Sequence, residues 1–279
     1  MKPRSKVRSA VVSGQFYSDM PKVLRGDIEA FLDRAVSAPD PSVRGIIVPH
    51  AGYMYSGPVA AEAYRAIRGA SVDTVVIVSF LHRVFIQGIL VDDADFYETP
   101  LGRIPVEREL CAAIRAEAPC FAEAVEGDLN EHSLEVQLPF LQFAIGDFSV
   151  VPVYMGEQSV ANARALSDAL AKHLAGRRAL VVFSTDLSHF HPYHEAVRMD
   201  QKFIRMTGDR DFMKLCRSSD SGEIEACGLG PVITSLMLAE TLGWDGPRLL
   251  KYANSGDVTG DKSSVVGYAA MVYKTGGKR

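Results

Sequence analysis

Short runs of uninterrupted apolar β-formers alternate along the chain with longer stretches in which apolar residues recur at helical spacing. The clearest runs are Val43–Val48, Asp73–Phe80 and Arg178–Phe183. An unbroken apolar strand is the kind that a parallel sheet buries on both faces. Val7–Val12, Gln87–Val91, Phe96–Thr99, Ser149–Tyr154, Arg248–Ala253 and Ser264–Tyr273 read as further strands. Helical spacing predicts helices over about 21–36, 59–68, 105–118, 133–144, 159–174, 194–207, 209–216 and 230–242. Ser18 or Asp19 reads as the cap of the first and Pro39-Asp40-Pro41 as its stop. Ser56 reads as the N-cap of the second, with Gly57-Pro58 opening its first turn.

Strand alternating with helix predicts a three-layer α/β/α domain around a mixed, largely parallel sheet. The sheet is expected to be mixed because no helix is predicted between the last two strands. No linker rich in Gly, Pro or Ser, no internal repeat and no low-complexity tract breaks the sequence, so one domain over residues 1–279 is the simplest organisation.

Composition changes this picture little. With 47% hydrophobic and 23% charged residues among 279, the chain has the make-up of a globular protein and not of a disordered one. Lysine plus arginine number 30 against 34 acidic residues, for a net charge of −4, and no basic tract stands out, which argues against nucleic acid as the partner. The basic start Met1-Lys2-Pro3-Arg4-Ser5-Lys6 has no apolar core behind it to make a signal peptide, and no apolar run approaches the ~18 residues of a membrane span. Cys111, Cys120, Cys216 and Cys227 show neither CxxC spacing nor disulfide-scaffold density, which fits a reducing, cytoplasmic setting.

Candidate chemistry gathers at strand ends. One strand runs into Pro49-His50, another into Leu81-His82, and a third into Thr185-Asp186 with His189 just beyond. Open α/β sheets bind ligands beyond the carboxyl ends of their strands, so parallel neighbours would bring His50, His82, Asp186 and His189 to one crevice. Imidazoles and a carboxylate at one point make a metal site or acid/base machinery. His132, in Glu131-His132-Ser133-Leu134-Glu135-Val136-Gln137, is a further candidate, although Ser133 and Glu135 also suit the first turn of a helix. Cys227 stands just before a helix beginning near Pro231, where the helix N-terminus favours thiolate and metal binding; a buried inert thiol is the alternative. Pro192 breaks the alternation before His194, and His191 and His194 are both expected to be exposed, because histidine is often surface-accessible. The run Asn254–Ser264 is spaced wrongly for a P-loop, Cys227-Gly228-Leu229-Gly230 lacks the third glycine of a dinucleotide fingerprint, and no Gly-x-Ser-x-Gly elbow is present.

Five segments together resemble one family. Pro49-His50-Ala51-Gly52-Tyr53 with Tyr55-Ser56-Gly57, Glu131-His132-Ser133-Leu134-Glu135, Ser184–His189, Cys227-Gly228-Leu229-Gly230-Pro231 and Val266-Gly267-Tyr268-Ala269 occur in the order seen in the Memo family, also called AmmeMemoRadiSam system protein B. The resemblance spans nearly the whole chain. It implies a fold like that of the class III extradiol dioxygenases, which are non-haem iron(II) enzymes. It also implies a metal held by His50, His82 and Cys227, with iron(II) the first expectation and copper or zinc next. By the same resemblance His189 is the acid/base histidine, and Asp186 and His132 line the pocket with it. Tyr53, Ser56 and Phe80 are the expected substrate contacts, for a small molecule or short peptide, and a functional link to a radical SAM protein follows from the family name. One departure stands out: the family's Gly-Pro-x-His is Ser79-Phe80-Leu81-His82 here.

A thiolate in place of the dioxygenase carboxylate softens such a site and makes it oxidisable. His189 is expected to move protons, held in its tautomer by Asp186. The sequence leaves three functions open: a metal-dependent oxidoreductase, a ligand- or phosphopeptide-binding protein on an enzyme-like scaffold, and a copper-handling protein.

Overall fold

A computed structural model describes residues 5–123 and 130–276; part of the basic start, residues 1–4, lies outside them. The strands are β1 (Val7–Arg8), β2 (Val43–Val48), β3 (Thr74–Phe80), β4 (Ile89–Val91), β5 (Phe96–Thr99), β6 (Gly102–Pro105), β7 (Phe121–Glu123), β8 (Ser149–Met155), β9 (Ala179–Ser184), β10 (His189–His191), β11 (Arg248–Asn254) and β12 (Val265–Lys274). The helices are α1 (Pro21–Arg34), α2 (Tyr53–Ala66), α3 (Arg108–Arg115), α4 (Gln137–Ile145), α5 (Val160–Leu174), α6 (Tyr193–Gly208), α7 (Phe212–Asp220), α8 (Leu229–Thr241) and α9 (Ser255–Thr259).

The main sheet runs β10-β12-β2-β9-β3-β8-β4-β7, with β11 also paired to β12, and β1-β5-β6 form a second, small sheet. Strands β2, β9, β3 and β8 are parallel, whereas β12 and β4 join them antiparallel. This is the mixed, largely parallel three-layer arrangement that the strand pattern predicts. Helices α1, α2 and α4 pack together, with α2 against β2, β11 and β12; α5 packs on α8, which lies against β3 and β9. Every residue of β3 is buried. Burying a valine or isoleucine side chain is worth about 1.5–3 kcal/mol, so Val75, Val76, Ile77 and Val78 hold this strand at the centre of the sheet.

Register then fixes the site. Val48 pairs with Ser184 and Val78 with Phe183, so β2, β9 and β3 end level at one edge of the sheet. The Thr185 amide donates to Val48 O at 3.0 Å and continues the pairing past the strands. His50, Asp186 and His82 each follow the last residue of their strand by two positions.

Several elements differ from expectation. Helix α2 begins at Tyr53 after Gly52, so Ser56 is not its cap: the Ser56 hydroxyl donates to Ala51 O at 2.8 Å from inside the first turn, and Pro58 lies within the helix. Tightness between α1 and α2 explains the neighbouring glycine, since a Cβ at Gly57 would meet the Phe31 ring at 2.8 Å. Neither Ser18 nor Asp19 is the N-cap of α1; Met20 holds that position, and α1 ends at Arg34. Helix α4 starts at Gln137, not Ser133, because residues 133–136 form a turn. Strand β1 spans two residues, and β6, β7 and β10 were not expected; three or four residues offer too few positions for alternation to register. The run after Asn254, for which no helix was expected, contains α9, a five-residue helix closed by a reciprocal bond pair between Asn254 and Asp257.

Candidate metal centre

Three imidazoles meet at the level strand ends. One ring nitrogen from each of His50, His82 and His132 lies within 4.8 Å of the other two. His50 and His82 are set edge to face at 5.1 Å between centroids, and His132 stacks on His82 at 4.5 Å. The Phe80 ring stands 4.1 Å from His82 and 5.8 Å from His50 and forms an apolar wall, so the altered Phe80-Leu81 turn does shape this cluster. On another side the edge of Phe16 meets His132 at 4.8 Å. His50 is 2% exposed, and burial, reinforced by the charges His82 and His132 can carry, lowers its pKa well below the usual histidine value. Neutral imidazole is the form that binds metal.

Cys227 reaches the same point from the other side. Its Sγ is 3.3 Å from His50 Nε2 and accepts the Asp186 amide at 3.1 Å. It is therefore a neighbour of His50 and not a member of the three-histidine group. The expectation that the helix N-terminus favours a thiolate here is corrected: burial, and next the negative charge of Asp186, push the Cys227 thiol well above its usual pKa. Cys227 precedes α8 rather than capping it, and the amide it accepts comes from Asp186. The thiol can then donate to the bare nitrogen of a neutral His50.

Glu131 is the residue that the sequence reading passed over. Its carboxylate, 4% exposed, accepts the His82 amide at 2.7 Å and lies 2.9 Å from His82 Nδ1. The amides of His132 and Ser133 also donate to it, both at 2.8 Å. Burial alone would raise its pKa, yet the hydrogen bonds from His132 and His82 win and hold the carboxyl far below the usual range. A carboxylate that buttresses a histidine's second nitrogen fixes ring orientation and tautomer. The signal was its place beside His132, hidden because acidic groups before an apolar helix also read as caps. Glu135, one of those supposed caps, accepts the Val11 and Val12 amides and the Tyr17 hydroxyl, which ties the N-terminal segment to the site.

Asp186 and His189 lie at the same edge with different duties. Asp186 Oδ1 accepts the His50 amide at 2.8 Å, and its other oxygen stands 4.0 Å from His50 Nε2. Burial raises its pKa, opposed by the His50 amide and the charge of His189. Among the described residues no hydrogen bond joins Asp186 to His189, so Asp186 does not hold that imidazole's tautomer; its carboxylate is turned to the end of β2. His189 is near enough to bias both His50 and Asp186. Its backbone is fixed in β10, where its amide donates to Glu225 Oε2 at 3.1 Å. His191 is half-buried, with Nε2 2.9 Å from Glu225 Oε2, and not exposed as expected; His194 is exposed.

Tyr53 and Ser56 do not face the cluster with their polar atoms. The Tyr53 hydroxyl donates to Val136 O at 2.7 Å, its ring packs 4.8 Å from Phe140, and the Ser56 hydroxyl is spent on Ala51 O. Both instead hold α2 in place against its neighbours, while Phe80 remains at the site.

These features define a mixed α/β protein with a three-histidine group able to hold a metal ion at the carboxyl edge of its sheet. The chain belongs to the Memo family: the model described as Memo-like protein matches residues 8–272. A MEMO1 family protein of Methanopyrus kandleri is 34% identical over 96% of this chain and 99% of its own. Relatives from Pyrobaculum aerophilum and Sulfolobus acidocaldarius, also MEMO1 family proteins, are each 37% identical over the same shares of both chains. The fold is similar to that of the uncharacterized protein JW3007 of Escherichia coli K12, with a TM-score of 0.50, 13% identity, and coverage of 81% of this chain and 99% of that one. No helix among the described residues is long and apolar enough to cross a membrane.

Proposed function

We infer that this chain is a metal-dependent oxidoreductase of the non-haem type, akin to the class III extradiol dioxygenases, acting on a small molecule. His50, His82 and Cys227 are its ligands, and iron(II) is its metal. The observation that supports this best is the meeting of three imidazoles and a thiol at the level ends of β2, β3 and β9. The donor set fits the group: two imidazoles, one of them backed by the Glu131 carboxylate, with one soft sulfur suit iron, copper(I) or zinc and not magnesium or calcium. A bound iron(II) ion would supply redox chemistry together with open positions for an oxygen-bearing substrate.

The chain's own residues divide the remaining work. Phe80 sets an apolar ring against His82 and walls one side of the cluster, while His82 itself stays open to solvent. His132, parallel to His82 and backed by Glu131, is placed to hydrogen-bond a substrate oxygen. His189, held by its backbone in β10 at the same edge, donates or takes the proton that such a substrate gains or loses.

Elemental analysis of protein purified without oxygen or chelator tests this reading. Near-stoichiometric iron, absent from a His50→Ala/His82→Ala variant, is the expected result. Copper or zinc in its place would overturn the iron assignment, and no metal after anaerobic reconstitution with iron(II) and copper(I) would favour a binding protein. Cys227→Ser is expected to weaken metal binding at least about tenfold through loss of the thiolate. Unchanged affinity would remove Cys227 from the site. Because the thiol is protonated at neutral pH and must be a thiolate to bind, metal uptake releases a proton. Affinity should therefore rise with pH, by up to about tenfold per unit around neutrality, and a Cys227→Ser titration should be flatter.

A further inference from the structure

Hydrogen-bond donors behind His50 are few, and the acceptors around them settle where each hydrogen goes. Gln137 places Nε2 3.0 Å from Pro49 O and 2.9 Å from Ser184 Oγ, while its Oε1 is 2.7 Å from the Tyr64 hydroxyl. A backbone carbonyl only accepts, so the amide nitrogen must face Pro49 O; its second N–H is directed at Ser184 Oγ at 2.9 Å, with Ser133 O farther from the same nitrogen at 3.4 Å. Ser184 Oγ lies 2.7 Å from Ser133 O, another atom that only accepts, and its single hydrogen goes there. The third neighbour of Ser184 Oγ is His50 Nδ1 at 2.8 Å. With the hydroxyl hydrogen spent, this contact is a hydrogen bond only if the imidazole donates. The other tautomer would either set two lone pairs against each other or leave Ser184 and Ser133 O in contact with no hydrogen between them. Ser133, Gln137 and Ser184 are all buried, so the unmade bond would not be replaced by bulk water.

We propose that Gln137 and Ser184 are positioning residues that lock His50 in the Nδ1–H tautomer and so present a bare Nε2 to the metal. The chain of contacts runs from Tyr64 through Gln137 and Ser184 to His50. Tyr64 anchors it, fully buried and stacked on Phe140 at 4.7 Å. The presented nitrogen is the one that faces Cys227 Sγ. Ser184 and Gln137 thereby gain a role that the strand-end and turn segments containing them did not suggest. The two ligand imidazoles are also made unequal: His82 is backed by the carboxylate of Glu131 and His50 by a neutral hydroxyl. A carboxylate partner raises ligand basicity more than a hydroxyl does, so His82 is the stronger donor of the pair.

The consequence for a metal rests on the function proposed above, but the tautomer does not, and the test separates them. Long-range proton–nitrogen correlation spectra of the metal-free protein, with His50 assigned by its absence in His50→Gln, read the tautomer directly. The expected result is a single His50 species with hydrogen on Nδ1. Ser184→Ala should give a mixture of tautomers and lower cobalt(II) affinity by about tenfold, the effect typical of a lost ligand buttress. Gln137→Met, which keeps the volume, should move both readouts the same way by less. Hydrogen on Nε2 in the wild type overturns the proposal. So does a Ser184→Ala protein with an unchanged tautomer and affinity within about twofold. If the wild type takes up no metal, the functional reading falls while the spectra still decide this one. If Ser184→Ala does not fold, the wild-type spectrum and Gln137→Met decide it.

Discussion

Glu131→Gln should weaken metal binding by about 10- to 100-fold, more than any other change outside the ligands themselves. Four N–H groups converge on the Glu131 carboxylate: the His82 amide on Oε2, and His82 Nδ1 with the amides of His132 and Ser133 on Oε1. A glutamine has one oxygen for these four donors. Whichever way its amide turns, an NH2 faces a buried N–H, and a buried donor left unmatched costs about 1–3 kcal/mol. His82 then loses the partner that fixes its ring, and the turn carrying His132 loosens with it. Cobalt(II) titration measures the first effect and thermal unfolding of the metal-free protein the second. An affinity within about twofold of wild type would show that Glu131 does not orient His82. The variant should also change acid sensitivity. A carboxyl whose folded pKa is depressed contributes stability that is present above its ordinary value of 4.5 and is lost as pH falls toward the folded value. The wild type should therefore lose more stability below pH ~4.5 than Glu131→Gln does.

The parts of this site that were legible in the sequence are those carried by long apolar strands. Val43–Val48, Asp73–Phe80 and Arg178–Phe183 could be read as buried and parallel, and two-residue overhangs placed His50, His82 and Asp186 at one edge without any coordinates. What could not be read was orientation. Tyr53 and Ser56 stand in the same segment as His50, yet α2 begins four residues earlier than the N-cap signal suggests, and this turns both polar groups toward backbone carbonyls. Asp186 follows the same strand-end rule as the histidines, but its carboxylate folds back to the His50 amide instead of reaching His189. Glu131 and Ser184 were visible as residues and invisible as partners, because a hydrogen bond across 49 or 134 positions leaves no periodicity. The Cys227 reading failed for a related reason: a helix N-terminus can be anticipated from sequence, whereas burial beside a specific carboxylate cannot.

Gly267→Ala should cost about 3 kcal/mol or more, through a clash that a glycine within a regular strand would not suggest. A Cβ at this position in β12 would overlap the carboxylate of Asp200, which is fully buried. Asp200 has nowhere to go. Its Oδ1 accepts the Ser188 amide at 3.0 Å and its Oδ2 accepts the Tyr252 hydroxyl at 2.7 Å, so retreat breaks one bond or both. Gly267 itself donates to Ser188 O at 2.9 Å and accepts the Leu187 amide at 2.8 Å. The segment that delivers His189 is thus sewn to β12 at the very residue where the Asp200 carboxylate presses on the strand. Thermal unfolding should show a drop of about 6–12 °C, taking roughly 2–4 °C per kcal/mol for a chain of this size. A double-mutant cycle separates steric overlap from a general weakness of the strand. Asp200→Ala removes the obstructing carboxylate at the price of its two hydrogen bonds, and in that background the added methyl of Gly267→Ala should cost under about 1 kcal/mol. Additive losses would mean that Gly267 is needed for some reason other than Asp200. A non-additive cycle would make the Asp200–Gly267 contact the reason that glycine stands in the Val266-Gly267-Tyr268-Ala269 segment.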